Sequence, residues 1–110
     1  MTDSDLAFRP AFQLSALIAS KQLSPVELTE LYLQRIDELD SQLNSYLTLD
    51  RDGAMKAAEE AEQAVIRGDD LGPLHGLPIS IKDLELTKGI RTTSGSLAYK
   101  DRIPDEDTIV

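Results

Sequence analysis

Leu77-Pro78-Ile79-Ser80-Ile81-Lys82 is the stretch on which the fold turns. Leu77, Ile79 and Ile81 fall on one side of an extended chain, with Pro78, Ser80 and Lys82 on the other, so the period of two predicts a strand with one polar face. Most of what precedes it has the period of a helix. Helical stripes leading into one strand are the elements that periodicity offers, with helices dominating the 110 residues.

Upstream, Leu14, Leu17 and Ile18 recur at helical spacing and predict a short helix from Gln13 to Lys21. A stronger start signal follows. Ser24 fits an N-cap, Pro25 the first helical position and Glu27 the third, so the Ser and Glu side chains are expected to satisfy each other's free backbone amides. Leu23 and Leu28 occupy the positions of a hydrophobic staple. The helix is expected to reach about Asp40, burying Leu28, Leu31, Tyr32, Ile36 and Leu39 while Glu30, Gln34, Asp37 and Glu38 stay in water. Tyr46 to Leu49 reads as a short strand.

Ala54, Ala57, Ala58, Ala61, Ala64 and Val65 share one face of a further helix from Arg51 to Arg67, which Gly68 ends in a left-handed conformation. Residues 68–73 are then a connecting loop. Downstream of the strand, the run from Thr87 to Ser96 is rich in Gly, Ser and Thr and reads as an irregular loop, with Gly89 and Gly95 serving positive-φ positions. Pro104-Asp105-Glu106-Asp107 looks like the start of a helix, with Asp107 as its cap and only Thr108, Ile109 and Val110 after it. This predicts that the chain is cut from a longer domain.

Composition narrows the function. With 20 acidic and 11 basic residues, the formal charge of −9 repels phosphate backbones and disfavours direct binding to nucleic acid or to an anionic membrane. Without cysteine there is no disulfide framework, thiolate nucleophile or thiolate metal site, and His75 is a single histidine in a loop, so neither metal nor cofactor is expected. The acidic start Met1-Thr2-Asp3-Ser4-Asp5 is unlike a secretory signal, and a cytoplasmic location is the expectation.

Lys82 is the one residue with a claim to chemistry. Periodicity alone makes it a solvated charge on a strand's polar face. Its setting, between Gly76 and a Gly/Thr/Ser-rich loop, is that of a site at a sheet edge. A lysine withdrawn from water loses charge stabilisation, and its neutral amine can then accept a proton near neutral pH. Such a base needs a nucleophile within hydrogen-bond reach. Asp83, pointing to the opposite face of a strand, is expected to hold structure by hydrogen bonding.

The segment Leu74-His75-Gly76-Leu77-Pro78-Ile79-Ser80-Ile81-Lys82-Asp83-Leu84, followed by Gly89-Ile90-Arg91-Thr92-Thr93-Ser94-Gly95-Ser96, resembles the amidase signature family. In that family a G-[VIL]-P-x-x-[IV]-K-D core carries the catalytic lysine. The stretches G-x-x-T-[ST]-x-G-S and P-x-x-D-[AT]-x-[VL]-V are also typical, and Pro104 to Val110 resembles the second. The resemblance implies an α/β/α fold around a mixed sheet and a Ser-cisSer-Lys triad, with Lys82 as the base. It also implies that both serines lie downstream of Val110, so that Ser94 and Ser96 are loop residues and residues 1–110 are the N-terminal portion of a single amidase domain, inactive and poorly folded alone.

The activity so implied is hydrolysis of a linear, small-molecule amide, with release of ammonia or an amine. A homodimer of the full-length protein is a further expectation. Two alternatives stand beside it. One is the catalytic subunit of a tRNA-dependent amidotransferase, which works with partner subunits; Leu84, where those subunits commonly carry Asn, leans away from it. The other is a non-catalytic acidic helical interaction module, which accounts for the helices but not for Leu77 to Ser96.

Overall fold

The computed structural model describes residues 2–109, which form two compact units: residues 2–43 with 51–78, and residues 44–50 with 79–109. The first unit is four helices followed by a loop, residues 68–78. Its elements are α1 (Asp3–Ala7), α2 (Ala11–Ala19), α3 (Pro25–Leu43) and α4 (Arg51–Arg67). The second unit is built from irregular segments and one 3₁₀ turn, Leu97–Tyr99.

Local chemistry sets the helix ends. Thr2 and Asp5 form a reciprocal capping box on α1, an element that the hydrophobic pattern does not foreshadow. Ser24 caps α3 as expected, its Oγ accepting from Val26 N–H at 3.0 Å and Glu27 N–H at 3.2 Å. The expected return bond from Glu27 is not made among the described residues. Instead the Ser24 hydroxyl donates to the Glu62 carboxylate on α4, which ties the start of α3 to its neighbour. Gly68 ends α4 at φ +77°, with Asp69 N–H reaching back to Ala64 C=O at 3.1 Å, the closing bond of a left-handed cap.

The core of this unit is a cluster of Leu14, Ile18, Leu23, Leu28 and Val65, with Leu6, Leu17, Tyr32, Leu71 and Leu77 packed around it. The predicted stripe of α2 and the Leu23–Leu28 staple lie inside it. On α3 the buried face is rotated from the expected one: Leu28 is fully buried, Thr29 and Leu33 join it, and Leu39 stays 38% exposed. α3 packs against both α4 and α1. Two neighbours widen the buried arc beyond a single stripe, which brings in Thr29 and Leu33. On α4 only Ala58 and Val65 of the alanine-rich face are fully buried.

The loop after α4 is pinned to the helices. Ser15 Oγ on α2 donates to Pro73 C=O at 2.9 Å, and His75 Nε2 lies 2.8 Å from Ala61 C=O on α4, acting as the donor to that carbonyl. His75 therefore secures a loop. Gly76 adopts φ +76° beside Pro25 and Ile18.

Three expectations are corrected. No strand occurs among the described residues, so the sheet of the α/β reading is not present in them. Residues 77–82 carry no ladder, and Ile79 and Ile81 are 74% and 49% exposed, because a strand exists only through the hydrogen bonds of a neighbour. Residues 46–49 are likewise not a strand; Leu47 C=O accepts from the Arg91 guanidinium at 3.0 Å. Residues 104–109 are not the start of a helix: Asp107 Oδ1 accepts from Lys88 N–H at 2.6 Å, so the carboxylate expected as a helix cap closes a loop instead.

Candidate active site

The second unit holds the Lys82 segment, and its irregular chain is organised by polar contacts in place of a core. Residues 86–92 run antiparallel to residues 102–108 through widely spaced bonds. Thr108 N–H donates to Leu86 C=O at 2.9 Å, Leu86 N–H to Thr108 Oγ1 at 2.8 Å, Gly89 N–H to Pro104 C=O at 2.9 Å and Thr92 N–H to Arg102 C=O at 3.0 Å. Asp107 and Thr108 supply side-chain acceptors where a regular ladder would use carbonyls. The backbone is thereby satisfied without a strand.

Asp83 is the hub of this unit. Its Oδ1 accepts from Thr93 N–H at 2.8 Å, its Oδ2 accepts from the Thr93 hydroxyl and from Gly95 N–H at 3.2 Å, and its C=O accepts from Ser94 N–H at 2.8 Å. Residues 83 and 93–95 are thus clasped together, closing the loop between them. Ser94 and Gly95 are both left-handed, at φ 52° and 67°. The amides of Thr93 and Gly95 form a small nest around the Asp83 carboxylate, while Ser94 N–H is taken by the Asp83 carbonyl. The Thr93 hydroxyl, then the Thr93 and Gly95 amides and the Arg91 charge, hold the Asp83 carboxyl below its ordinary value of 3.8. Behind the clasp Thr92 and Thr93 are buried.

Two arginines brace the loop. Arg102 donates through Nε to Thr92 C=O at 2.9 Å and through Nη2 to Ser94 Oγ at 2.8 Å, with its guanidinium 4.4 Å from the centre of the Tyr99 ring. Arg91 donates through Nε to Lys100 C=O and through Nη1 to Leu47 C=O and to Thr48 Oγ1 at 3.2 Å. Arg91 thus takes two carbonyls and Arg102 one, each paired with a hydroxyl.

Lys82 is exposed, and its side chain makes no hydrogen bond or ion pair with any described residue. Its carbonyl accepts from Glu85 N–H at 3.0 Å in a tight turn. Ser94 and Ser96 both have structural work: Ser94 Oγ accepts from Arg102, and Ser96 Oγ caps the 3₁₀ turn by accepting from Ala98 N–H at 3.2 Å. The loop reading of these serines agrees with those bonds, as does the hydrogen-bonding role expected of Asp83. The parts of Arg91, Thr93 and Arg102 are not legible in the sequence, since nothing local marks an arginine whose partners are distant carbonyls. Among the described residues no group of His, Cys, Asp and Glu could hold a metal ion, and no helix is long and apolar enough to cross a membrane.

Comparison with known proteins covers nearly the whole chain. Residues 27–110 match the amidase family. A glutamyl-tRNA(Gln) amidotransferase subunit of Streptomyces coelicolor is 39% identical over 107 residues, which is 97% of this chain and 22% of that protein. The same subunit of Aromatoleum aromaticum is 45% identical over 84 residues, 76% of this chain and 17% of that protein. An acylamidase of Rhodococcus erythropolis is 36% identical over 110 residues, all of this chain and 23% of that protein. The chain spans about a fifth of the length of these relatives. With the match running through the Gly76–Asp83 segment and the clasped loop after it, the chain belongs to the amidase family.

Proposed function

We propose that residues 1–110 are the lysine-bearing portion of an amidase domain that hydrolyses carbon–nitrogen bonds in linear amides, with Lys82 as the base. The observation that carries this reading is the family match over residues 27–110, which includes the G-L-P-I-S-I-K-D segment that resembles the family's lysine motif. A short span relative to the matched proteins agrees with both serines of a Ser-cisSer-Lys triad lying downstream.

In this mechanism the nucleophilic serine attacks the amide carbonyl while its proton passes through the cis-serine to the neutral Lys82 amine. Backbone amides elsewhere in the domain hold the oxyanion. The 93–95 nest does not serve that purpose, since its donors are taken by Asp83. The proton returns to the departing nitrogen, ammonia or an amine leaves, and water releases the acid from the acyl-enzyme. For this Lys82 must be neutral, so the remainder of the domain is expected to cover the side chain that is exposed here.

In the full-length protein, Lys82→Ala is expected to abolish amide hydrolysis, measured as released ammonia, while circular dichroism stays unchanged. Loss of a general base costs about 10²–10⁴-fold in rate. Persistent turnover by this variant would refute the assignment.

A second reading draws on the relatives named as subunits of a glutamyl-tRNA(Gln) amidotransferase. In it the same triad releases ammonia from glutamine and the protein works with partner subunits. Glutamine hydrolysis that appears only with such partners present would favour it over a stand-alone amidase, which turns over a simple amide unaided.

A further inference from the structure

We propose that Asp83 is a positioning residue for Lys82, holding the lysine's backbone in place through the bonds of its carboxylate to the Thr93 and Gly95 amides and the Thr93 hydroxyl and of its carbonyl to Ser94 N–H. This rests on the reading of Lys82 as the base. The two residues are adjacent, so their Cα atoms are about 3.8 Å apart across one planar peptide. Whatever immobilises Asp83 therefore immobilises the root of the Lys82 side chain.

The immobilisation is unusually complete for an irregular segment. The Asp83 carboxylate takes three donors from residues 93 and 95, its carbonyl takes a fourth from residue 94, and the Lys82 carbonyl is held by Glu85. On the far side Thr92 and Thr93 are buried, and the Thr92 carbonyl is held by Arg102 Nε. The Lys82 side chain, in contrast, has no partner among the described residues. A fixed root with a free amine is the arrangement needed to present a base to a nucleophile that comes from elsewhere in the domain.

The site is also specific for a carboxylate. Each carboxylate oxygen accepts from a backbone amide, so an Asn side chain would set its NH2 against the N–H of Thr93 or of Gly95 whichever way it turned. Glutamate would push the carboxylate one methylene too far along the nest. The clasp thus selects aspartate by charge and by reach.

The test uses the full-length protein, with amide turnover followed as ammonia release across pH for Lys82→Ala, Asp83→Ala, Asp83→Asn and Thr93→Val, and with thermal melting of each variant. Asp83→Ala is expected to lower kcat about 100-fold, the order expected for a base misplaced by about 1 Å, while KM stays near the wild-type value. The low-pH limb of the rate profile is expected to move, and the kcat of Asp83→Asn to fall between the two. Wild-type kcat with an unmoved limb in Asp83→Ala overturns the positioning role. Turnover in Lys82→Ala overturns the base assignment instead. If Asp83→Ala does not fold, Thr93→Val decides the matter: it removes one hydroxyl and no backbone donor, and a reduced kcat with a displaced limb supports the clasp, whereas an unchanged profile overturns it.

Discussion

Replacing Gly76 by alanine tests whether the loop before Lys82 is fitted to the helices or merely connects them. Gly76 sits at φ +76°, and a Cβ there would come 2.9 Å from Pro25 Cγ, 3.2 Å from Pro25 Cβ and 3.4 Å from Ile18 Cγ2. Pro25 is the buried first residue of α3, and its ring, closed onto the backbone, can retreat only by changing pucker. The substitution therefore carries two costs: about 1–2 kcal/mol for a left-handed non-glycine residue, and about 1–3 kcal/mol for forcing a methyl into a packed contact. Gly68 separates them. It has nearly the same φ, +77°, and a methyl added there would meet nothing within 4 Å, so Gly68→Ala carries the backbone cost alone. The expected difference of about 2 kcal/mol corresponds to about 30-fold faster amide exchange in α2 and α3 for Gly76→Ala than for Gly68→Ala. Hydrogen exchange read by mass spectrometry on the full-length protein measures it peptide by peptide. Equal acceleration in the two variants would refute the contact, leaving only a loop that needs a positive φ.

Ser24→Ala removes the acceptor for two first-turn amides of α3 together with the donor to Glu62, and is expected to cost about 0.5–2 kcal/mol; faster exchange at Val26 and Glu27 checks it, and protection equal to wild type would rule out the cap. Asp83 sets an acid dependence whose sign follows from its direction: the folded carboxyl titrates below its ordinary value of 3.8, so its stabilisation is fully present above that value and is lost as pH falls through the lower folded one. Asp83→Asn is thus expected to flatten the fall of melting temperature below about pH 4, with Asp5, lowered by its bonds to Thr2, still titrating in the same window. An acid limb identical to wild type would show that the clasp does not depend on charge.

How far the chain can be read from its sequence depends on the distance over which each feature is decided. The helix from Arg51 to Arg67 and its stop at Gly68 are legible, as is the cap at Ser24, because a helix bonds residues four apart and its ends are settled by side chains two or three positions away. The capping box at Thr2 and Asp5 carries an equally local signal, but no apolar stripe follows it to mark a helix. Burial of Leu33 and Thr29 escapes the helical pattern because the buried arc of α3 is set by the two helices against it. The alternation from Leu77 to Lys82 is real, yet it describes which face a strand would present, and no alternation supplies the strand beside it.

The sequence by itself determined α2, α3 and α4, the caps at Ser24 and Gly68, the left-handed Gly89 and Gly95 and the motif around Lys82, all governed by steric and hydrogen-bonding choices among near neighbours. Tertiary structure alone decided that the Ser24 hydroxyl would reach Glu62, 38 residues on, and that Asp83 would fill the nest ten residues away. Those contacts satisfy polar groups that each segment leaves open, and which distant segment satisfies them is fixed only when the chain has closed upon itself.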